Sequence, residues 1–108
     1  MDLTGKAVYI SGRMTGCDNW NTEAFDKAAD YLTEHGAAFV FNPSLSAKAG
    51  KIREHSYYMR VDIHELTKSY HGEQIYDVIA MLPGWEESYG ARVELMVAIA
   101  CGIEVMFL

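Results

Sequence analysis

Apolar and polar positions come in blocks along the chain, and the period of each block predicts its element. Residues 6–11 form a short β-branched and aromatic run that ends at Gly12, which predicts a first strand. Between residues 21 and 35, Ala24, Phe25, Ala28, Tyr31 and Leu32 recur at helical spacing, and Gly36 is a C-terminal stop. Residues 38–41 predict a second buried strand, closed by Asn42-Pro43 because proline has no N–H for a sheet ladder. Residues 44–54 are polar, small and basic without period, and read as a loop able to cover a site.

A second helix is expected from near Ser56, with Met59, Ile63 and Leu66 on one face and Asp62 at its boundary. The polar run 68–73 leaves its end open. Residues 74–82 are nearly continuous in apolar side chains, as a buried parallel strand requires, and Pro83-Gly84 ends them. A last helix over 89–101 is expected to turn Val93, Met96, Val97 and Ala100 inward, before Gly102 and a final strand over 104–107.

This βαβαβαβ alternation predicts an α/β domain of three layers, doubly wound in the flavodoxin or Rossmann-like manner, with a parallel sheet of four to five strands. At 108 residues the chain has length for one core, and residues 1–108 are expected to form one domain. Half the residues are hydrophobic, yet no run is long enough to span a bilayer, so no membrane partner is expected. The first residues lack a secretory pattern, which makes a cytoplasmic location the expectation. Cys17 and Cys101 show neither metal nor disulfide spacing, and Cys101 is expected to pack in the core. A net charge of −6 argues against a nucleic-acid polymer as partner, since counterion release requires a basic face.

In an open sheet of this kind ligands bind beyond the carboxyl ends of the strands, where strand order reverses. The first and third strands should flank that point, which brings together the loops 12–19 and 83–94. Gly12 and Gly16 allow backbone N–H groups to turn toward an anion, with Arg13, Met14 and Thr15 between them. Ser88 and Gly90 offer the same at the start of the last helix, although glycines also simply bend loops and Ser88 is an ordinary N-cap. Neither loop is a Walker A or dinucleotide fingerprint. Glu94 lies one position from the expected core face, where burial raises its pKa and the helix N-terminus opposes that rise; such a carboxylate suits a nucleophile or a stabiliser of positive charge. Tyr9, Asp62 and Trp85 can add a phenol, a second carboxylate and a stacking ring, each also explicable as packing or solvated surface. His55, His64 and His71 lack paired metal spacing, so no metal site is expected.

Residues 8–16, Asn42-Pro43, Tyr58-Met59-Arg60-Val61-Asp62 and the run 82–94 resemble the small, often phage-borne group similar to nucleoside 2-deoxyribosyltransferases and deoxynucleotide N-hydrolases. The resemblance covers nearly the whole chain, and the last motif is its specific part. It implies cleavage or transfer at the N-glycosidic bond of a deoxynucleoside or its 5′-monophosphate without a cofactor, with Glu94 as nucleophile. Tyr9 and Asp62 match the residues that assist sugar and base, and Ser88, Gly90 and the loop from Gly12 to Gly16 match the region that holds a 5′-phosphate. It also implies a homo-oligomer. Arg13 stands where many relatives have proline, and about two helical turns of additional sequence separate Asp62 from Asp77. A nucleotide-binding protein that sequesters or senses its ligand would need the same loops and Trp85, without Glu94 as a nucleophile.

Overall fold

The computed structural model describes residues 1–44 and 54–108. In chain order its elements are β1 (Ala7–Ser11), α1 (Thr22–Glu34), β2 (Phe39–Phe41), α2 (His55–Thr67), β3 (Ser69–Tyr70), β4 (Glu73–Gln74), β5 (Val78–Met81), α3 (Tyr89–Ala100) and β6 (Glu104–Phe107). Four strands form one sheet in the order β2-β1-β5-β6, and every pairing within it is parallel. The chain leaves β1 toward one edge to form β2 and returns to the other side to form β5. Strand order therefore reverses between β1 and β5, the expected first and third long strands.

Alternation along the two central strands sends successive side chains to opposite faces. Val8, Ile10, Val78 and Ala80 meet Phe25, Ala28 and Leu32 of α1. Tyr9, Ile79 and Met81 turn the other way, onto Leu66 of α2 and Ala91 and Ala98 of α3. The result is the three-layer arrangement, with α1 on one side of the sheet and α2 and α3 on the other. Burying a side chain such as Phe25 or Leu32 contributes roughly 2–3 kcal/mol.

Gly12 follows β1 directly, and its lack of a side chain has a packing reason: a Cβ there would lie 2.8 Å from Leu82 Cβ. After Gly16 the loop takes a left-handed course through Asn19, Trp20 and Asn21, with φ of 49°, 56° and 61°. Two side-chain bonds hold this unfavourable run, Asn19 Nδ2 to Thr22 Oγ1 at 2.8 Å and Asn21 Nδ2 to the Arg13 carbonyl at 2.9 Å.

Several expectations need correction. The second strand is an edge strand, not a buried one, and Phe39 is exposed. The third strand begins at Val78, because residues 69–74 form an antiparallel hairpin of their own. Its turn, His71-Gly72, has φ of 52° and 81°, the left-handed pair that a two-residue hairpin demands. On α3 the buried stripe is Ala91, Glu94 and Ala98; Met96 and Ala100, expected inside, face out. An almost wholly apolar helix offers several stripes of similar hydrophobicity, and small side chains let it lie closest to the sheet. Tyr31 on α1 is likewise exposed and stacks on His35 instead of entering the core. Cys101 is exposed, since α3 ends at Ala100 and the chain turns outward before Gly102. The loop expected over 44–54 falls, from 45 to 53, outside the described residues; Ser44 itself is buried and donates to Asp26 Oδ1 at 2.8 Å. Among the described residues no helix is long and apolar enough to cross a membrane.

Candidate functional site

Three elements meet beneath the carboxyl ends of β1 and β5. Tyr9 and Ser11 are two apart on β1 and so project from the same face, toward α3. Glu94 faces them from the second turn of α3 and is 7% exposed. The helix start is fixed by Ser88, whose Oγ accepts a hydrogen bond from the Ala91 N–H at 3.1 Å. Gly90 lets α2 approach that start, because a Cβ there would lie 3.2 Å from Met59 Sδ.

Both oxygens of Glu94 are engaged. The Tyr9 hydroxyl donates to Oε2, and the Ser11 hydroxyl donates to Oε1 at 2.8 Å. The Tyr9 oxygen also lies 3.4 Å from the Asp62 backbone carbonyl, which ties α2 into the same cluster. The Tyr9 ring is fixed in turn, stacked on Phe41 at 5.0 Å and edge-on to Tyr76 at 5.6 Å. Tyr76 donates to Glu65, which also pairs with Lys68 at 2.8 Å.

Charge in this cluster is kept from water. Burial pushes the Glu94 carboxyl up to about 7; the Tyr9 and Ser11 hydroxyls oppose that rise, and the Asp62 charge adds to it. Burial, with the Glu65 charge behind it, raises Asp62 to about 6. Tyr9 is pushed well above its usual range, first by burial and then by the charges of Glu94 and Asp62. Two neighbouring carboxyls thus lose their protons near neutrality, and the phenol beside them stays protonated. A carboxyl pair of this kind can supply an ionised group and a proton donor together.

Of the residues singled out from the chain, Tyr9, Asp62 and Glu94 come together here. The additional sequence between Asp62 and Asp77 completes α2 and makes the β3–β4 hairpin, and the Asp62 backbone carbonyl lies 3.4 Å from the Tyr9 hydroxyl. Arg13 bridges the two loops by pairing with Glu87 at 3.3 Å. Gly16 sits under its guanidinium, where a Cβ would be 3.1 Å from Nη2. Met14 packs on the α1 side of the core, and Thr15 is exposed. Trp85 is turned toward the end of the chain, its ring 5.8 Å from that of Phe107. A separate groove of about 560 Å³ runs between α2 and α3; Met59, Ile63, Tyr89 and Val93 line it, and Tyr9, Ser11 and Glu94 do not.

Ser11 is the site residue that sequence reasoning passed over, counting it only as the last position of the first strand. The signal was available: the period of two that puts Tyr9 on one face of β1 puts Ser11 there as well.

A family model described as a domain of unknown function, DUF4406, matches residues 6–107. No curated protein and no solved structure matches the chain.

Proposed function

This chain belongs to the DUF4406 family of domains of unknown function, and for it we propose cleavage or transfer at the N-glycosidic bond of a deoxynucleoside or deoxynucleoside 5′-monophosphate. The observation that carries the reading is a carboxylate buried at the strand-order reversal, with hydroxyl donors on both oxygens and a second carboxyl beside it. Packing alone does not account for it, because an unneeded buried carboxyl destabilises a fold that an apolar residue would stabilise.

In the first step a Glu94 oxygen attacks the anomeric carbon of the sugar and forms an ester bond. The bond from that carbon to the base nitrogen breaks, and its electron pair leaves with the base. The reacting form has Glu94 ionised and the pair's one proton on Asp62, the reverse of the order in which the two carboxyls lose theirs; that proton passes to the departing base, so Asp62 becomes ionised. In the second step water attacks the anomeric carbon, Glu94 leaves as a carboxylate, and Asp62 takes the proton from water. A second base in place of water would give transfer. Tyr9 keeps its proton throughout and offers a donor to Glu94 or to the sugar.

Arg13, already paired across the two loops, supplies a cation for a 5′-phosphate, which it would take in exchange for Glu87. The reading includes a homo-oligomer, since Tyr89, Met96 and Ile99 leave one stripe of α3 exposed; sedimentation equilibrium measures it.

The test is incubation with a panel of deoxynucleosides and their monophosphates, with free base measured chromatographically. Wild type should release base, Glu94→Ala should lose at least about a thousandfold, and a sugar adduct on Glu94 should appear in the intact mass. Stabilisation by a deoxynucleotide without base release would assign a binding role that sequesters or senses the ligand.

A further inference from the structure

We propose that Ser11 is a positioning residue for Glu94: its hydroxyl, acting with that of Tyr9, fixes the plane in which the Glu94 carboxylate is presented. The proposal rests on the reading of Glu94 as the nucleophile, and it adds a residue with a defined task.

Ser11 is 1% exposed and pairs in register with Met81 at the ends of β1 and β5, beside a buried apolar cluster. A position there that served packing alone would be apolar. A buried hydroxyl needs a partner, and this one has Glu94 Oε1 at 2.8 Å. Its backbone is anchored as well, because the Ser11 carbonyl accepts from the Leu82 N–H at 2.8 Å. The donor is therefore carried on a strand end held in the centre of the sheet, where placement is more exact than on a loop.

Two donors do what one cannot. A glutamate held at a single oxygen still turns about its last torsion, which is broad and soft. With Tyr9 on Oε2 and Ser11 on Oε1, both from the same strand face, the carboxylate plane is set relative to β1. The same two bonds favour the ionised group, so Ser11 opposes the effect of burial. Removing its donor releases the torsion and makes the carboxylate harder to ionise.

The experiment compares wild type with Ser11→Ala, Ser11→Cys and Ser11→Thr. Cysteine fills the space with a weak donor, so the comparison stands even if the alanine variant does not fold; threonine keeps the hydroxyl. The Glu94 side-chain carboxyl is titrated by its carbon-13 shift, and base release is followed as kcat and KM against pH. Loss of the donor should raise the Glu94 midpoint by about one pH unit, lower kcat at pH 6 about tenfold and change KM less than about twofold; threonine should restore both. An unchanged midpoint in the alanine and cysteine variants overturns the proposal. A raised midpoint with no base release from wild type keeps the role of Ser11 and overturns the glycosidic reading instead.

Discussion

Replacing Glu94 with glutamine should stabilise the protein at alkaline pH and do little at acid pH. The folded state raises the Glu94 pKa from 4.5 to about 7, so it binds the Glu94 proton more tightly than the unfolded chain does. The stability held by that proton is fully present below about pH 4.5 and is lost as pH rises through 7. At about 1.4 kcal/mol per pH unit, the loss from Glu94 is roughly 3 kcal/mol by pH 8. Asp62, raised from 3.8 to about 6, adds a loss of the same sign at lower pH. Glu65 works the other way, because the hydrogen bonds from Lys68 and Tyr76 outweigh its burial and hold it low, but it titrates below this window. Glutamine keeps the shape of Glu94 without the ionisation, and its mismatch with two hydroxyl donors gives back about 1 kcal/mol. A net gain of about 2 kcal/mol at pH 8 corresponds to roughly 10 °C in Tm. Urea denaturation followed by circular dichroism at pH 5, 6, 7 and 8 measures it, with the slope checked for constancy. A wild-type midpoint that is flat from pH 5 to 8, or a glutamine variant less stable than wild type at pH 8, refutes the reasoning.

Gly12→Ala should lose about 1–3 kcal/mol by urea denaturation, because its Cβ meets that of Leu82 at 2.8 Å and neither strand end can withdraw; an unchanged midpoint would show that Leu82 has room. Ser88→Ala should lose about 1 kcal/mol through the missing N-cap, and Ser88→Asp should recover it, since aspartate caps equally well; no recovery would assign the loss to something other than the cap. Arg13→Ala should weaken binding of a deoxynucleoside 5′-monophosphate roughly tenfold and leave the nucleoside unchanged by calorimetry, with Glu87→Gln shifting the monophosphate the other way; equal losses for both ligands would remove Arg13 from the anion site. Its pairing with Glu87, exposed on both sides, should contribute little to stability itself.

The sheet was legible because its central strands are short apolar runs ended by Gly12 and by Pro83-Gly84, signals that act locally. The hairpin over residues 69–74 was not, since its strands are polar and only the His71-Gly72 pair marks the turn. Helix α3 misled for a different reason: Val93, Met96 and Val97 outrank Ala91 and Ala98 in hydrophobicity, but closeness to the sheet selects the smaller pair and carries Glu94 inward with them. The same rotation places Glu94 against β1. Tyr9, Asp62 and Glu94 were singled out from the chain on chemistry and resemblance; the period of two gives the face of Ser11 but not its partner, and the Arg13–Glu87 pair joins segments more than seventy residues apart, which no local pattern records.

The two-residue interval between Tyr9 and Ser11 also bears on how the chain finds its fold. If β1 slipped by one residue against its neighbours, Val8 and Ile10 would face α3, and the hydroxyls would turn toward α1. Glu94 would then be enclosed among apolar side chains with no donor, at a penalty of several kcal/mol. The slipped register would thus carry its cost at Glu94 as well as in the apolar layers, so the buried carboxyl adds to the gap between the native pairing and its nearest competitor.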